Sequence, residues 1–131
     1  MVVAVTRANG TVASTVVNAG VIIHPTDGTA VVGMVVRGDS GKHRMLRKRP
    51  RATVTFLHGW RWASVEGSVE LIGPDDSYPD MDDKAVAGLL RDIFTAAGGT
   101  HNDWDEYDRV MVEEKRLAIL VRPERIYGLP G

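Results

Sequence analysis

Thr29-Ala30-Val31-Val32-Gly33-Met34-Val35-Val36-Arg37-Gly38-Asp39-Ser40-Gly41-Lys42-His43-Arg44-Met45-Leu46-Arg47-Lys48-Arg49-Pro50-Arg51 carries two periods in succession. Residues 29–36 are an almost unbroken, valine-rich apolar run of strand length, which predicts a central strand covered on both faces. After Arg37-Gly38-Asp39 the spacing becomes helical, with Ser40 placed to cap a short helix over residues 40–49 and Pro50 placed to stop it.

The segments on either side extend the β reading. Residues 2–8 and 12–23 flank Asn9-Gly10, a dipeptide that accepts the positive φ angles of a tight hairpin, and Pro25-Thr26-Asp27-Gly28 turns the chain into residue 29. Downstream, residues 52–57 and 60–72 are rich in β-branched and aromatic side chains and bend at His58-Gly59; the second run is long enough to cross a barrel. From Asp82, Val86, Leu89, Leu90, Ile93, Phe94 and Ala97 recur at helical spacing up to Gly98-Gly99. A second helix is predicted over 103–114, capped by Asn102 with Trp104, Tyr107 and Met111 on one face, before a last strand at 117–121.

Five strands broken by one small helix, then two helices, then a sixth strand give no regular alternation of strand and long helix. A doubly wound parallel sheet is excluded. The expectation is one domain over residues 1–131, mainly β: about six antiparallel strands forming a barrel, with helices across its mouth or flank.

With 16 Lys and Arg against 17 Asp and Glu, the net charge of −1 provides no global field for nucleic acid or an anionic membrane. The absence of cysteine excludes disulfides and thiolate metal sites. No apolar run reaches the roughly 20 residues of a membrane helix and no signal peptide opens the chain, so a cytoplasmic location is expected. His24, His43, His58 and His101 lack metal-ligand spacing, and Asp103-Trp104-Asp105 lacks the glycine and glutamate of a calcium loop, so no metal site is expected. Nucleophile-elbow, P-loop and dinucleotide fingerprints are all missing.

Local charge is more informative. Residues 42–51 hold six Lys or Arg and no acid. Lys42 falls in the first helical turn, where the macrodipole and free N–H groups are already positive; a bound phosphate would reverse that penalty. Gly41 admits a ligand to the backbone, Ser40 offers a hydroxyl, and Arg37 can add a bidentate contact. The competing reading is a solvated cationic face. Nucleic acid is disfavoured because no aromatic residue interleaves with the cations. Along residues 60–72, Ala63, Val65, Val69 and Leu71 share one face, which leaves Trp60, Trp62, Ser64, Glu66, Ser68 and Glu70 on the other. Both tryptophans could lie half-buried beneath a helix, form an interface or wall an aromatic ligand.

The run Ser40 to Arg51 resembles the "K, two residues, N-L-R, two residues, P-R" segment of the pyridoxamine phosphate oxidase-like, split-barrel flavin-binding superfamily. Val65-Glu66-Gly67 is similar to its strand ending in E-G, and Arg125-Ile126-Tyr127-Gly128 to its closing "V-Y-G" strand. The segments His101-Asn102-Asp103-Trp104-Asp105-Glu106-Tyr107 and Tyr127-Gly128-Leu129-Pro130-Gly131 resemble the actinobacterial B group of deazaflavin-dependent reductases.

This resemblance implies a homodimer of split barrels with the cofactor at the interface. By position, Thr15, Val16, Val17 and Asn18 would face its ring. Arg37, Ser40, Gly41, Lys42 and Arg44 would hold its phosphate, and Trp60, Trp62 and Tyr78 would wall the pocket, in part from the partner subunit. Met45 stands where relatives have asparagine, and Ser40 where many have arginine. The implied activity is hydride transfer from reduced coenzyme F420 to an activated alkene, quinone-like compound or tetrapyrrole. The alternatives are an FMN-dependent oxidoreductase on the same fold and a non-catalytic flavin, deazaflavin or haem carrier. More cation than one phosphate requires favours the polyanionic deazaflavin.

Overall fold

The computed structural model describes residues 1–38 and 41–129. In chain order the elements are β1 (Val2–Thr6), β2 (Val12–Val16), β3 (Ala19–Ile23), β4 (Ala30–Val36), α1 (Gly41–Lys48), β5 (Arg51–His58), β6 (Arg61–Ile72), α2 (Asp83–Ala96), α3 (Trp104–Glu113), β7 (Leu117–Val121) and β8 (Arg125–Leu129). The strands pair antiparallel in the order β2-β1-β5-β6-β7-β4-β3, with β8 on β6. This is a mainly β split barrel with three helices.

Alternation explains the valine-rich run. Val32, Met34 and Val36 of β4 point into the barrel with Leu117, Ile119 and Val121 of β7, while Leu46 of α1 joins the same core. On the other face, Val31 of β4, Ala118 and Leu120 of β7 and Ile72 of β6 meet Leu89, Leu90 and Ile93 of α2 and Tyr107 of α3. Gly33 lets α2 approach: a Cβ there would lie 2.9 Å from Ile93 Cγ1.

The split is made on β6. One edge pairs with β5; on the other, Val69–Ile72 take β7 and Trp62–Glu66 take β8. Between the two partners Arg122 N–H donates to Ser68 O at 2.9 Å and Glu124 N–H to Glu66 O at 3.0 Å. The chain crosses so closely over Gly67 that a Cβ there would sit 1.7 Å from the Arg122 carbonyl oxygen. The glycine of Val65-Glu66-Gly67 is therefore a steric requirement.

Three features differ from the sequence reading. Residues 12–23, expected as one strand, are two, which end the sheet path on opposite sides; the chain turns the barrel's corner at Val17-Asn18, where Val17 N–H donates to Met1 O at 2.9 Å. Val17 still packs on the core, so apolar patterning continues through the corner unmarked. With β8 added, six strands become eight. The cap of α3 is Asp103, whose carboxylate accepts from Glu106 N–H at 3.1 Å, and not Asn102. Aromatic packing of Phe94, His101, Trp104 and Tyr107 staples α3 to α2, so the His101-to-Tyr107 segment acts here in packing.

Candidate functional site

α1 follows β4 at the barrel end and buries His43 and Leu46. Its first turn contains no acid, whereas α2 opens with Asp82 accepting from Ala85 N–H at 2.8 Å. Lys42 is half-buried, and desolvation lowers its pKa. It pairs with no carboxylate among the described residues. The Arg44 guanidinium folds back over Gly41, 3.8 Å from where a Cβ on that glycine would lie. Ala8, Gly41, Arg44, Met45, Arg47, Lys48 and Arg49 line a cavity of about 490 Å³.

The basic segment divides into tied and open cations. Arg47 makes a two-pronged contact with Asp76 in the loop after β6, Nε to Oδ1 and Nη2 to Oδ2 both at 2.8 Å. The Asp76 bonds raise the Arg47 pKa. Arg51 pairs with Glu124 at 3.0 Å. Arg44, Lys48 and Arg49 meet no carboxylate among the described residues. Arg37, at the end of β4, turns toward Glu114 at 3.7 Å, whose other oxygen takes Arg116 Nε at 2.9 Å. Ser40 lies outside the described residues.

Thr15 and Val16 are exposed on the edge strand β2, Val17 is half-buried, and Asn18 is exposed at the corner. They line neither cavity. In register, Thr15 opposes Val3, which opposes Val54; the next inward-facing row is Ala13, Val5 and Ala52. Ala52 lies shortly after α1, so Thr15 is two residues of strand, about 7 Å, from the α1 end of the sheet.

A second cavity, about 630 Å³, opens at the far end of β5 and β6, lined by Met1, Phe56, Leu57, His58, Arg61, Trp62, Ala63 and residues 126–129 of β8. Trp62 meets Tyr127 edge-on with centroids 6.2 Å apart. Trp60 is 90 % exposed at the hairpin tip and lines neither cavity. Among the described residues nothing covers the neighbouring sheet face: Val2, Val16, Leu57, Tyr127 and Leu129 are all exposed, while α2 packs on the opposite flank against β3, β4 and β7.

Tyr78, expected at a pocket wall, is instead committed to a polar knot. Its hydroxyl donates to Glu70 Oε2 at 2.6 Å, and Glu70 Oε1 meets His24 Nε2 at 2.9 Å and Arg122 Nε at 3.0 Å. Arg122 also reaches Asp27. Burial pushes the Glu70 pKa up, but hydrogen bonds from Tyr78, Arg122 and His24 together outweigh it and hold the carboxyl below its ordinary value. The knot joins residues far apart in the chain, and no spacing in the sequence announces it. Among the described residues no three metal-ligating side chains cluster, and no helix is long and apolar enough to cross a membrane.

No family model matches the chain. Among solved structures, an F420 reductase superposes with a TM-score of 0.62 at 18 % identity, covering 96 % of this chain and 86 % of the other. A pyridoxamine 5'-phosphate oxidase-related, FMN-binding protein from Nostoc punctiforme gives 0.64 at 16 % identity, over 98 % and 72 %. A haem-binding protein from Mycobacterium smegmatis gives 0.65 at 14 % identity, over 99 % and 48 %. The shared property is the split-barrel fold, and these neighbours' own ligands differ.

Proposed function

We propose that this chain is an F420-dependent oxidoreductase, carrying hydride from the reduced deazaflavin to a conjugated organic acceptor. One observation carries the reading: Lys42 is a half-buried cation without a carboxylate partner among the described residues, at the start of a helix whose first turn has no acid. Gly41 N–H, the Lys42 ammonium and Arg44 would hold the phosphate, with Ser40 adding its hydroxyl and Arg37 exchanging Glu114 for it. The ring would lie along Thr15 to Asn18, where an edge strand leaves backbone groups unpaired within about 7 Å of the α1 end.

The cofactor supplies the hydride chemistry when bound, and the chain's task is to position and shield. Lys48 and Arg49 add cations beyond the need of one phosphate, which supports F420 over FMN. A homodimer accounts for the uncovered sheet face, and Trp60 and Trp62 would then wall the partner's site. Tyr78 stays outside the proposal because its hydroxyl is spent on Glu70. A cytoplasmic location and B-group membership belong to the same reading.

Fluorescence titration with F420 and absorbance titration with FMN, side by side, test it. Lys42→Ala is expected to weaken F420 binding more than tenfold. Affinity for neither ligand overturns the reading; tight FMN binding without F420 binding replaces it with the FMN enzyme, and a haem Soret band without turnover replaces it with a carrier.

A further inference from the structure

The cavity at the far end of β5 and β6 has a chemistry of its own. Cross-strand pairing sets Phe56 opposite Ala63 and His58 opposite Arg61, and β8 brings Gly128 alongside Ala63. Because side chains alternate along a strand, these two pairs share the face of the core pair Val54 and Val65. Phe56 packs on that core, so the apolar lining continues the barrel interior, and the last pair of the ladder stands at its edge. The turn between them is only Gly59-Trp60, with Gly59 at φ +62°, which holds His58 and Arg61 in place.

Two observations say what this space accepts. Leu57, Ile126 and Leu129 line it while more than half exposed, and Trp62 stands edge-on to Tyr127 beside them, so apolar and aromatic surface meets water inside a concavity. At about 630 Å³ the cavity has the size that small organic ligands occupy. The second observation is charge. Both basic side chains of the lining, His58 and Arg61, lie at this edge, and no carboxylate lines the cavity among the described residues. Arg61 makes no hydrogen bond or ion pair among the described residues, and the next acid along β6, Glu66, accepts from the Tyr127 hydroxyl at 3.1 Å. Apolar walls with an open guanidinium fork at the edge complement a flat apolar anion, and a carboxylate matches the fork with both oxygens.

We propose that this cavity binds a planar, apolar carboxylate, its ring system against Phe56 and Trp62 and its carboxylate on the Arg61 guanidinium, with His58 adding an imidazole N–H. The site is separate from the cations of α1 and requires no phosphate, so it does not rest on the phosphate reading. Leu57, Tyr127 and Leu129 also belong to the uncovered sheet face, which makes a second copy of the chain the rival occupant.

The test uses the full chain, with 2-naphthoate as the probe and 2-naphthamide as its uncharged counterpart, followed in ¹H–¹⁵N spectra. Naphthoate is expected to shift the Trp62 indole signal and the amides of residues 56–63 and 126–129, to leave Trp104 of α3 unmoved, and to bind about fivefold or more tightly than naphthamide. Arg61→Ala, at an exposed position near the hairpin tip, is expected to bring naphthoate down to the affinity of naphthamide without changing naphthamide itself. Equal binding of the two probes by the wild type, or an Arg61→Ala protein that keeps its affinity for naphthoate, overturns the carboxylate assignment. Shifts confined to residues 41–48 put the anion on α1 and overturn the site. If neither probe moves residues 56–63 the proposal also falls, and a dimer in light scattering then gives the cavity to a second copy. Each of these results leaves the phosphate reading of α1 to its own titration with F420 and FMN.

Discussion

Gly67→Ala puts a methyl group where β6 passes from one partner strand to the other. Its Cβ would lie 1.7 Å from Arg122 O, 2.9 Å from Arg122 C and 3.2 Å from Glu124 N, so the obstruction is backbone and no side chain can rotate out of the way. A normal contact needs roughly twice the shortest of these distances. Relief must come from separating the strands, and the bonds that resist are the two flanking ones, Arg122 N–H to Ser68 O and Glu124 N–H to Glu66 O. Losing both costs about 2 kcal/mol net, and the residual overpacking about 1–3 kcal/mol more. The expected loss is about 3–5 kcal/mol, a large fraction of a small domain's typical stability. Urea denaturation followed by tryptophan fluorescence measures it, with Gly88→Ala as the control. Gly88 sits inside α2 with nothing within 4 Å of an added Cβ, so alanine there is expected to stabilise by about 0.5–1 kcal/mol. A Gly67→Ala protein within 1 kcal/mol of wild type would refute the crossing geometry.

Tyr78→Phe removes one donor from Glu70. Because the folded pKa of Glu70 lies below its ordinary value, its contribution is present above the unfolded carboxylate pKa near 4.3 and is lost as pH falls through the folded value. The variant is therefore expected to be about 1 kcal/mol less stable at pH 7, with the gap closing below about pH 4; a pH-independent gap in denaturant titrations counts against the knot. Asp76→Asn loosens the fork on Arg47 and is expected to lower the thermal midpoint while leaving F420 affinity within about threefold, as measured by scanning calorimetry and titration. Leu57→Asp charges the uncovered face, where Leu57 is 71 % exposed, and is expected to shift the species in light scattering from dimer to monomer without unfolding it; a wild-type monomer sinks the dimer reading.

What was legible in the sequence follows from which interactions are local. The β4 run, the caps and spacing of α2 and the stop at Pro50 are written in neighbouring residues, and they appear in place. The corner at Val17-Asn18 was hidden because half-buried Val17 packs against the core there and carries the apolar pattern through the change of partner. β8 escaped periodicity because its large apolar residues are exposed on both faces, and only its likeness to a closing strand marked it. For the site, the charge anomaly at residues 42–51 pointed to the segment that forms α1, a helix with no acid in its first turn. It could not separate Arg47 and Arg51, tied by Asp76 and Glu124 from distant segments, from the open Arg44 and Lys48.

The Arg47–Asp76 fork connects α1 to a loop that has its own internal bond, Asp76 N–H to Gly73 O at 3.1 Å, and that is anchored through Tyr78 to Glu70. Motion of the helix therefore has to be shared with that loop. Amide deuterium uptake at Asp76 becomes a remote gauge of how firmly α1 is seated, readable without a chromophore and for any ligand that settles the helix.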